Sequence, residues 1–451
     1  MPALATDLTE SSSFIMNVGN AVKQATIAEM RSKLNDNDEM ILEEMAFFID
    51  VNTAHSTSAY SKLVNTGGNM HMRQLWEDAA VTVLMDSAGN YCELNPADNR
   101  YTKEGTCIVN DPSDNESTLI SALAGADVMR IIPETYGRVQ DRGDGSKRLW
   151  LSLVPLPGGY IIPRQVVGKF KCTVSDSKLR SIPGAVPTAS QTIKGFWDYA
   201  QARSNNHGLA NADFRNHLLF HMMAKYGWRS SQECANSQGT LIWGVGLDGS
   251  ENTESSSTGG FDRQKNIKTG ATLSLGSADG PKAVADSVGG TAHSVNVAGF
   301  ENPWGQYWEM VQGLCSVGNN VYFWRNNFMP PSSPAPTAST FEHVDHVLLT
   351  RYTTSGGGPS GMNIKEGIGQ GVYMVPESAI SNVTYGDYYY YDASGQLWLF
   401  GGYSGNGSDC GLASAYSSNA WAHSDAGISA RLAYYGNINR VSEARLRELL
   451  S

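Results

Sequence analysis

The spacing of apolar and polar positions splits the chain into an amino-terminal part with helical periodicity and a longer part made of short strands. Phe14, Val18, Ala21, Ala25 and Ala28 recur at three- and four-residue intervals behind Ser11 to Ser13, which can cap a helix. Residues 10–48 are therefore expected to be helical, with a break at Asn35-Asp36-Asn37-Asp38 before a second helix over residues 39–49. That region is read either as two helices packed on the next domain or as an oligomerisation or docking element. Strand patterns occupy residues 80–85, 128–132 and 149–154, and two further helices are predicted over 192–203 and 212–225. Beyond Trp228 short strands alternate with long Gly/Ser loops, including a low-complexity insert at 248–260. The proline-rich run 330–336 is an extended loop, and residues 441–450 form a short amphipathic helix. The polar hinge 111–116 marks a boundary, giving three segments: a helical region 1–52, a small mixed domain 53–115 and a larger domain 116–451.

Near the carboxyl end, Leu397-Trp398-Leu399-Phe400-Gly401-Gly402 and Gly427-Ile428-Ser429-Ala430-Arg431-Leu432 both read as framework. Between them, residues 403–425 consist almost wholly of Ser, Tyr, Asn, Asp, Gly, Ala and His, without a lysine, glutamate, glutamine or methionine. Such a stretch suits contact, because tyrosine gives area and serine and asparagine adapt their hydrogen bonds. The candidate ligand-binding residues are Tyr403, Ser404, Asn406, Ser408, Asp409, Cys410, Ser414, Tyr416, Ser417, Ser418, Asn419, His423, Ser424 and Asp425. Tyr388, Tyr389, Tyr390, Tyr391 and Asp392 are candidates to extend that surface.

Composition narrows the function classes. At 451 residues the chain is long enough for two or three domains, or for one large domain with a helical appendage. Charged residues are only 17% while glycines number 47, which favours many strands and turns over a helical bundle. A net charge of -11 opposes nucleic-acid binding, which needs a basic footprint. The six cysteines are widely spaced with no CxxC pair, against a zinc cluster or a dense disulfide framework. Residues 1–7 show neither a basic n-region nor an apolar h-region, so no signal peptide is expected, and no apolar run suggests membrane insertion.

In motif order the chain resembles the variable proteins of diversity-generating retroelements and related phage tail receptor-binding proteins. The resemblance runs through Asp127-Val128-Met129-Arg130-Ile131-Ile132-Pro133, Gly168-Lys169-Phe170, Ser181-Ile182-Pro183-Gly184, Gly299-Phe300-Glu301-Asn302-Pro303-Trp304-Gly305 with Tyr307-Trp308, and the closing window from Gly401-Gly402 to Arg431-Leu432. It implies an α+β, C-type lectin-like (formylglycine-generating-enzyme-like) domain with short strands, two helices and long loops, preceded by the helical region. It also implies a variable segment at about 385–437, rewritten at adenines so that Glu, Lys, Gln, Met and Trp do not arise. Trp421 is then scaffold, and Cys410 a chance product of a randomised codon. The family's variable segments usually lie at the extreme carboxyl terminus, whereas a helix follows here.

The function so implied is binding of a bacterial cell-surface receptor, protein or glycan, by a homotrimer on a phage or prophage virion tail. A structural tail or baseplate protein is the alternative, and a formylglycine-generating type of enzyme a further one. The enzymes carry a cysteine after the arginine of the final strand; here Leu432 follows Arg431, so no enzyme is expected. His217 and His221 have the i, i+4 spacing of zinc ligands but no intervening glutamate, and are read as helix or core histidines. The glycines of 367–371 and the Arg142-Gly143-Asp144 tripeptide are read as turns. No cofactor is expected beyond structural calcium, for which lectin-like loops offer oxygens. The Trp304, Tyr307 and Trp308 cluster is assigned to the core rather than to a sugar platform.

Overall fold

The computed structural model describes residues 13–18, 21–26, 39–51, 64–141, 147–226, 267–285, 291–350, 362–367, 371–376, 389–391, 394–403, 406 and 410–451. Within them the β-rich reading of the carboxyl-terminal two thirds extends to the amino terminus. Ser13–Val18 and Ala21–Thr26 are antiparallel strands, with Val18 opposite Ala21, not a helix. Phe14, Met16 and Val18 also stand at alternate positions, the two-residue period of a strand. Helix α1 (Glu39–Met45) is shorter than predicted, because Phe47–Val51 leaves it as a strand. The β-branched and aromatic content of that segment suits a sheet better than a helix.

Four more helices complete the described set: α2 (Met70–Ala79), α3 (Ile193–Gln201), α4 (Ala212–Tyr226) and α5 (Glu443–Leu450). Asn69 and Thr192 cap α2 and α3 by accepting from Met72 N and Gly195 N, and Ser442 does the same for α5 through Arg445 N. Helix α4 is buried on nearly all sides, from Ala212 to Ala224, so it is a core element and not a surface helix.

The α+β C-type lectin-like architecture is not what the chain adopts. Mostly small antiparallel sheets stand in a ring resembling a four-bladed propeller, with five α-helices among the described residues. The short motifs behind the expectation specify strands and turns, but not which strands pair. Residues far apart in sequence decide that. One sheet orders Tyr160–Ile162, Thr135–Asp141, Lys147–Ser152, Phe47–Val51 and Val64–Gly68. The largest, of eight strands, runs from His207–Leu209 through Leu432–Tyr434, Gln165–Gly168, Asp127–Ile132 and Val81–Met85 to Asn90–Asn95, where Asn439–Arg440 joins in parallel. Sheet hydrogen bonds therefore cross both expected segment boundaries, at 52 and at 115. A third sheet sets Tyr389–Tyr391, Gly411–Asn419, Leu397–Gly401, Trp308–Met310 and Ile428–Ala430 side by side.

Between these sheets lie several apolar clusters. Phe47, Trp76, Phe214, Phe300 and Trp304 belong to one cluster, and Trp308, Trp324, Leu397, Leu399 and Trp421 to another. Trp398 is buried as well, and its Nε1 donates to Ser316 Oγ at 2.8 Å, so the indole is both packed and satisfied. Replacing Trp398 by alanine should cost about 3–5 kcal/mol, as large core truncations do. Urea unfolding checks this: an unchanged midpoint would place Trp398 outside the core.

Candidate ligand-binding site

The polar stretch begins where strand Leu397–Gly401 ends in two glycines in the left-handed region, Gly401 (φ 90) and Gly402 (φ 76). A Cβ on Gly402 would meet Cys410 Sγ at 2.7 Å, so the close return of the chain requires glycine there. Gly305 N donates to the carbonyls of Gly401 and Gly402, fixing the exit of the strand. Tyr403 N then donates to Asn406 Oδ1, Asn406 N to the Tyr403 carbonyl, and Cys410 Sγ lies 3.0 Å from that same carbonyl. Strand Gly411–Asn419 returns between Leu397–Gly401 and Tyr389–Tyr391, and the turn at 420–427 leads into Ile428–Ala430.

This placement sorts the sequence candidates. Ser424 and Asp425 are exposed, together with Ala420, Ala422 and Ala426. Tyr390, Tyr403, Asn406, Tyr416, Ser418, Asn419 and His423 are half-buried. Cys410, Ser414 and Ser417 are each 0% exposed, a correction to their assignment as contact residues. The reason is that Gly411–Asn419 is flanked by strands on both edges, and small side chains are what a tightly packed central strand needs as much as what an adaptable surface needs. Tyr389 and Tyr391 lie on a strand opposite Ala415 and Ser417. Tyr388, Asp392, Ser404, Ser408 and Asp409 fall outside the described residues. Asp425 is also a turn former: its carboxylate accepts from Gly427 N and its carbonyl from Ser190 N.

An aromatic ladder supports the half-buried residues. Tyr416 stacks on Tyr390 at 5.1 Å and 19°, and contacts Trp308 at 5.8 Å on its way to the core. Trp421, buried as scaffold, donates from Nε1 to the Pro330 carbonyl, and Trp421 N donates to Gln396 Oε1. Trp304 and Trp308 are buried rather than displayed.

Beneath the surface lies a charge network that the sequence reading missed. Glu309 Oε2 takes Arg431 Nε at 3.1 Å and Lys171 Nζ at 3.2 Å, with all three side chains at most 1% exposed. Arg215 of α4 donates to the Pro303 and Leu412 carbonyls, both at 2.9 Å, and so pins the start of strand Gly411–Asn419 to the helix. The available signal was charge inside otherwise apolar strands: Lys169-Phe170-Lys171, Trp308-Glu309-Met310 and Ala430-Arg431-Leu432. His221 Nε2 pairs with Asp279 Oδ2 at 3.1 Å, alongside Lys225 and Tyr226, and the His217 ring packs on Trp76 at 5.0 Å. Burial, then His221 and Arg130, hold His217 well below the usual histidine range. Among the described residues no three His, Cys, Asp or Glu side chains converge as metal ligands.

No protein-family model matches this chain, and no curated protein matches it.

Burial alone would raise the Glu309 carboxyl, but Arg431, Lys171 and Arg215 outweigh it and hold it down to about 2. A carboxylate depressed in the folded state contributes stability that is present above the ordinary value of 4.5 and lost as pH falls through about 2. Glu309→Gln should remove that part of the acid dependence. It should also cost about 3–5 kcal/mol at neutral pH by leaving Lys171 and Arg431 under-compensated. Urea melts across the acid range check both statements; parallel pH profiles for wild type and variant would exclude the assignment.

Proposed function

We propose that this chain is a receptor-binding protein of a phage or prophage tail, whose segment around 385–437 is a diversified surface for a bacterial cell-surface ligand. The observation that carries the reading is one arrangement. Tyr416 and Asn419 on strand Gly411–Asn419, His423, Ser424 and Asp425 on the turn after it, Tyr390 on the neighbouring strand and Tyr403 after Leu397–Gly401 stand half-buried or exposed, over a framework of buried tryptophans and ion pairs. Recognition of this kind is non-covalent and uses no cofactor. Side chains on a fixed backbone lose little freedom on binding, so each new set of contacts costs less ordering entropy. A trimeric arrangement on a tail would multiply weak single sites through avidity.

A second reading has its own observation. The burial of Cys410, Leu412, Ser414, Ala415 and Ser417 fits a strand that only packs, as in a structural tail or baseplate protein. The two readings part at the turn after the strand, which packing does not require to be polar.

Replacing Asn419, His423 and Ser424 together by alanine tests this. Surface changes of this type usually stay within about ±0.5 kcal/mol each, so the melting temperature should hold while binding to host cells is lost. A collapsed melt would favour the packing reading, and retained binding would move the receptor site elsewhere. Sequencing beside the gene adds an independent arm: a near-identical repeat differing only at adenines, next to a reverse-transcriptase gene, is expected.

A further inference from the structure

Away from the recognition surface, the antiparallel strands Thr291–Val297 and Phe300–Glu301 close a tight hairpin over residue Lys169. The turn residues Ala298 (φ 52) and Gly299 (φ 81) both lie in the left-handed region, as a two-residue hairpin of this hand requires. The hairpin aims two groups at the lysine. Lys169 Nζ is 2.9 Å from Asn296 Oδ1 and 2.8 Å from the Gly299 carbonyl. Lys169 and Asn296 are both 0% exposed. Glu301, 2% exposed, sits directly opposite Asn296 in the strand pair, so their side chains leave the sheet on the same face.

We propose that Lys169 and Asn296 condense into an intramolecular isopeptide bond. The neutral amine attacks the Asn296 carboxamide carbon and a C–N bond forms. A proton passes from the attacking nitrogen to the carboxamide nitrogen, the bond to that nitrogen breaks, and ammonia leaves. The atoms balance and no oxidant or further reactant is required.

Three features prepare this step. The carboxamide is held in one orientation, because Asn296 Nδ2 donates to the Ala278 carbonyl at 2.7 Å while Oδ1 faces the lysine. Such fixed proximity is worth effective concentrations on the order of 10⁵ M or more in well-oriented intramolecular reactions. Burial also favours the uncharged amine that the reaction needs, lowering Lys169 to about 7 against the attraction of Glu301. The bond would join the strand Gln165–Gly168 region to the hairpin across a sequence separation of 127 residues. The inference is independent of the receptor-binding reading. Its rival is an ordinary buried ammonium, satisfied by Asn296 and the Gly299 and Gly276 carbonyls.

Mass spectrometry of the full-length folded protein, denatured just before measurement, decides between them. The expected mass is lower than the sequence mass by one ammonia, and a digest should contain a branched peptide joining Lys169 to Asn296. Lys169→Arg, which keeps a cation but cannot condense, and Asn296→Ala should both show their full sequence masses. Wild-type protein at its full sequence mass, with Lys169 and Asn296 in separate peptides, would overturn the proposal. So would an ammonia loss confined to one peptide, which marks a succinimide.

Discussion

Arg431 stands where the chain passes from one sheet to another. Ile428–Ala430 belongs to the five-stranded sheet of the candidate ligand-binding surface, and Leu432–Tyr434 to the eight-stranded sheet. The arginine between them turns inward, 0% exposed, and spends its donors on both sides. Nη1 reaches the Lys169 carbonyl at 2.7 Å, Nη2 the Glu301 carbonyl at 3.0 Å, and Nε the Glu309 carboxylate at 3.1 Å. A planar guanidinium is the side chain that can hold three such directions at once. Lysine at this position would satisfy fewer acceptors and leave carbonyls of the strand ends unpaired in the core.

Burying this charge dictates what surrounds it. An isolated cation in an apolar interior costs several kcal/mol, so Glu309 must be present, and with Lys171 also facing Glu309 the site carries two cations on one carboxylate. Desolvation then presses on each member: Lys171 is lowered to about 8 even though Glu309 opposes the shift. A network of this kind adds little net stability over an apolar core, but it penalises wrong pairings, since a slipped strand would strand a charge. Because Glu309 itself stands opposite Phe400 of Leu397–Gly401 and Ser429 of Ile428–Ala430, the register of the five-stranded sheet is tied to the ion pair.

Local elements were legible in the sequence and long-range pairings were not. Helices α3 and α4 and the strands Val81–Met85, Asp127–Ile132 and Lys147–Ser152 announce themselves by period, since each buries one face or all of itself. Residues 13–26 misled because Phe14, Val18, Ala21 and Ala25 satisfy a helical template, whereas Ser13–Val18 and Ala21–Thr26 pair with each other as strands. The lectin-like architecture failed for a different reason, long-range pairing: the eight-stranded sheet joins residues near 81 to residues near 434. At the site, composition identified the stretch but not its inner and outer positions. Register shifts between Leu397 and Leu399, and between Phe400 and Gly401, break the strict alternation from which these positions would have been read.

That division bears on how the surface can vary. A position that accepts Tyr, Asp, His or Asn interchangeably must open to water, because a buried unpaired polar group costs about 1–3 kcal/mol. Cys410, Ser414 and Ser417 do not meet that condition, whereas Asn419, His423, Ser424 and Asp425 do. Tyr416 is intermediate: its ring is partly spent on Trp308 and Tyr390, so exchange there trades packing for contact. Variation confined to the turn and the ladder's outer edge would leave the ion pairs and tryptophans below untouched. The buried Trp421, within the turn itself, then acts as the anchor that keeps the backbone in place while its neighbours change.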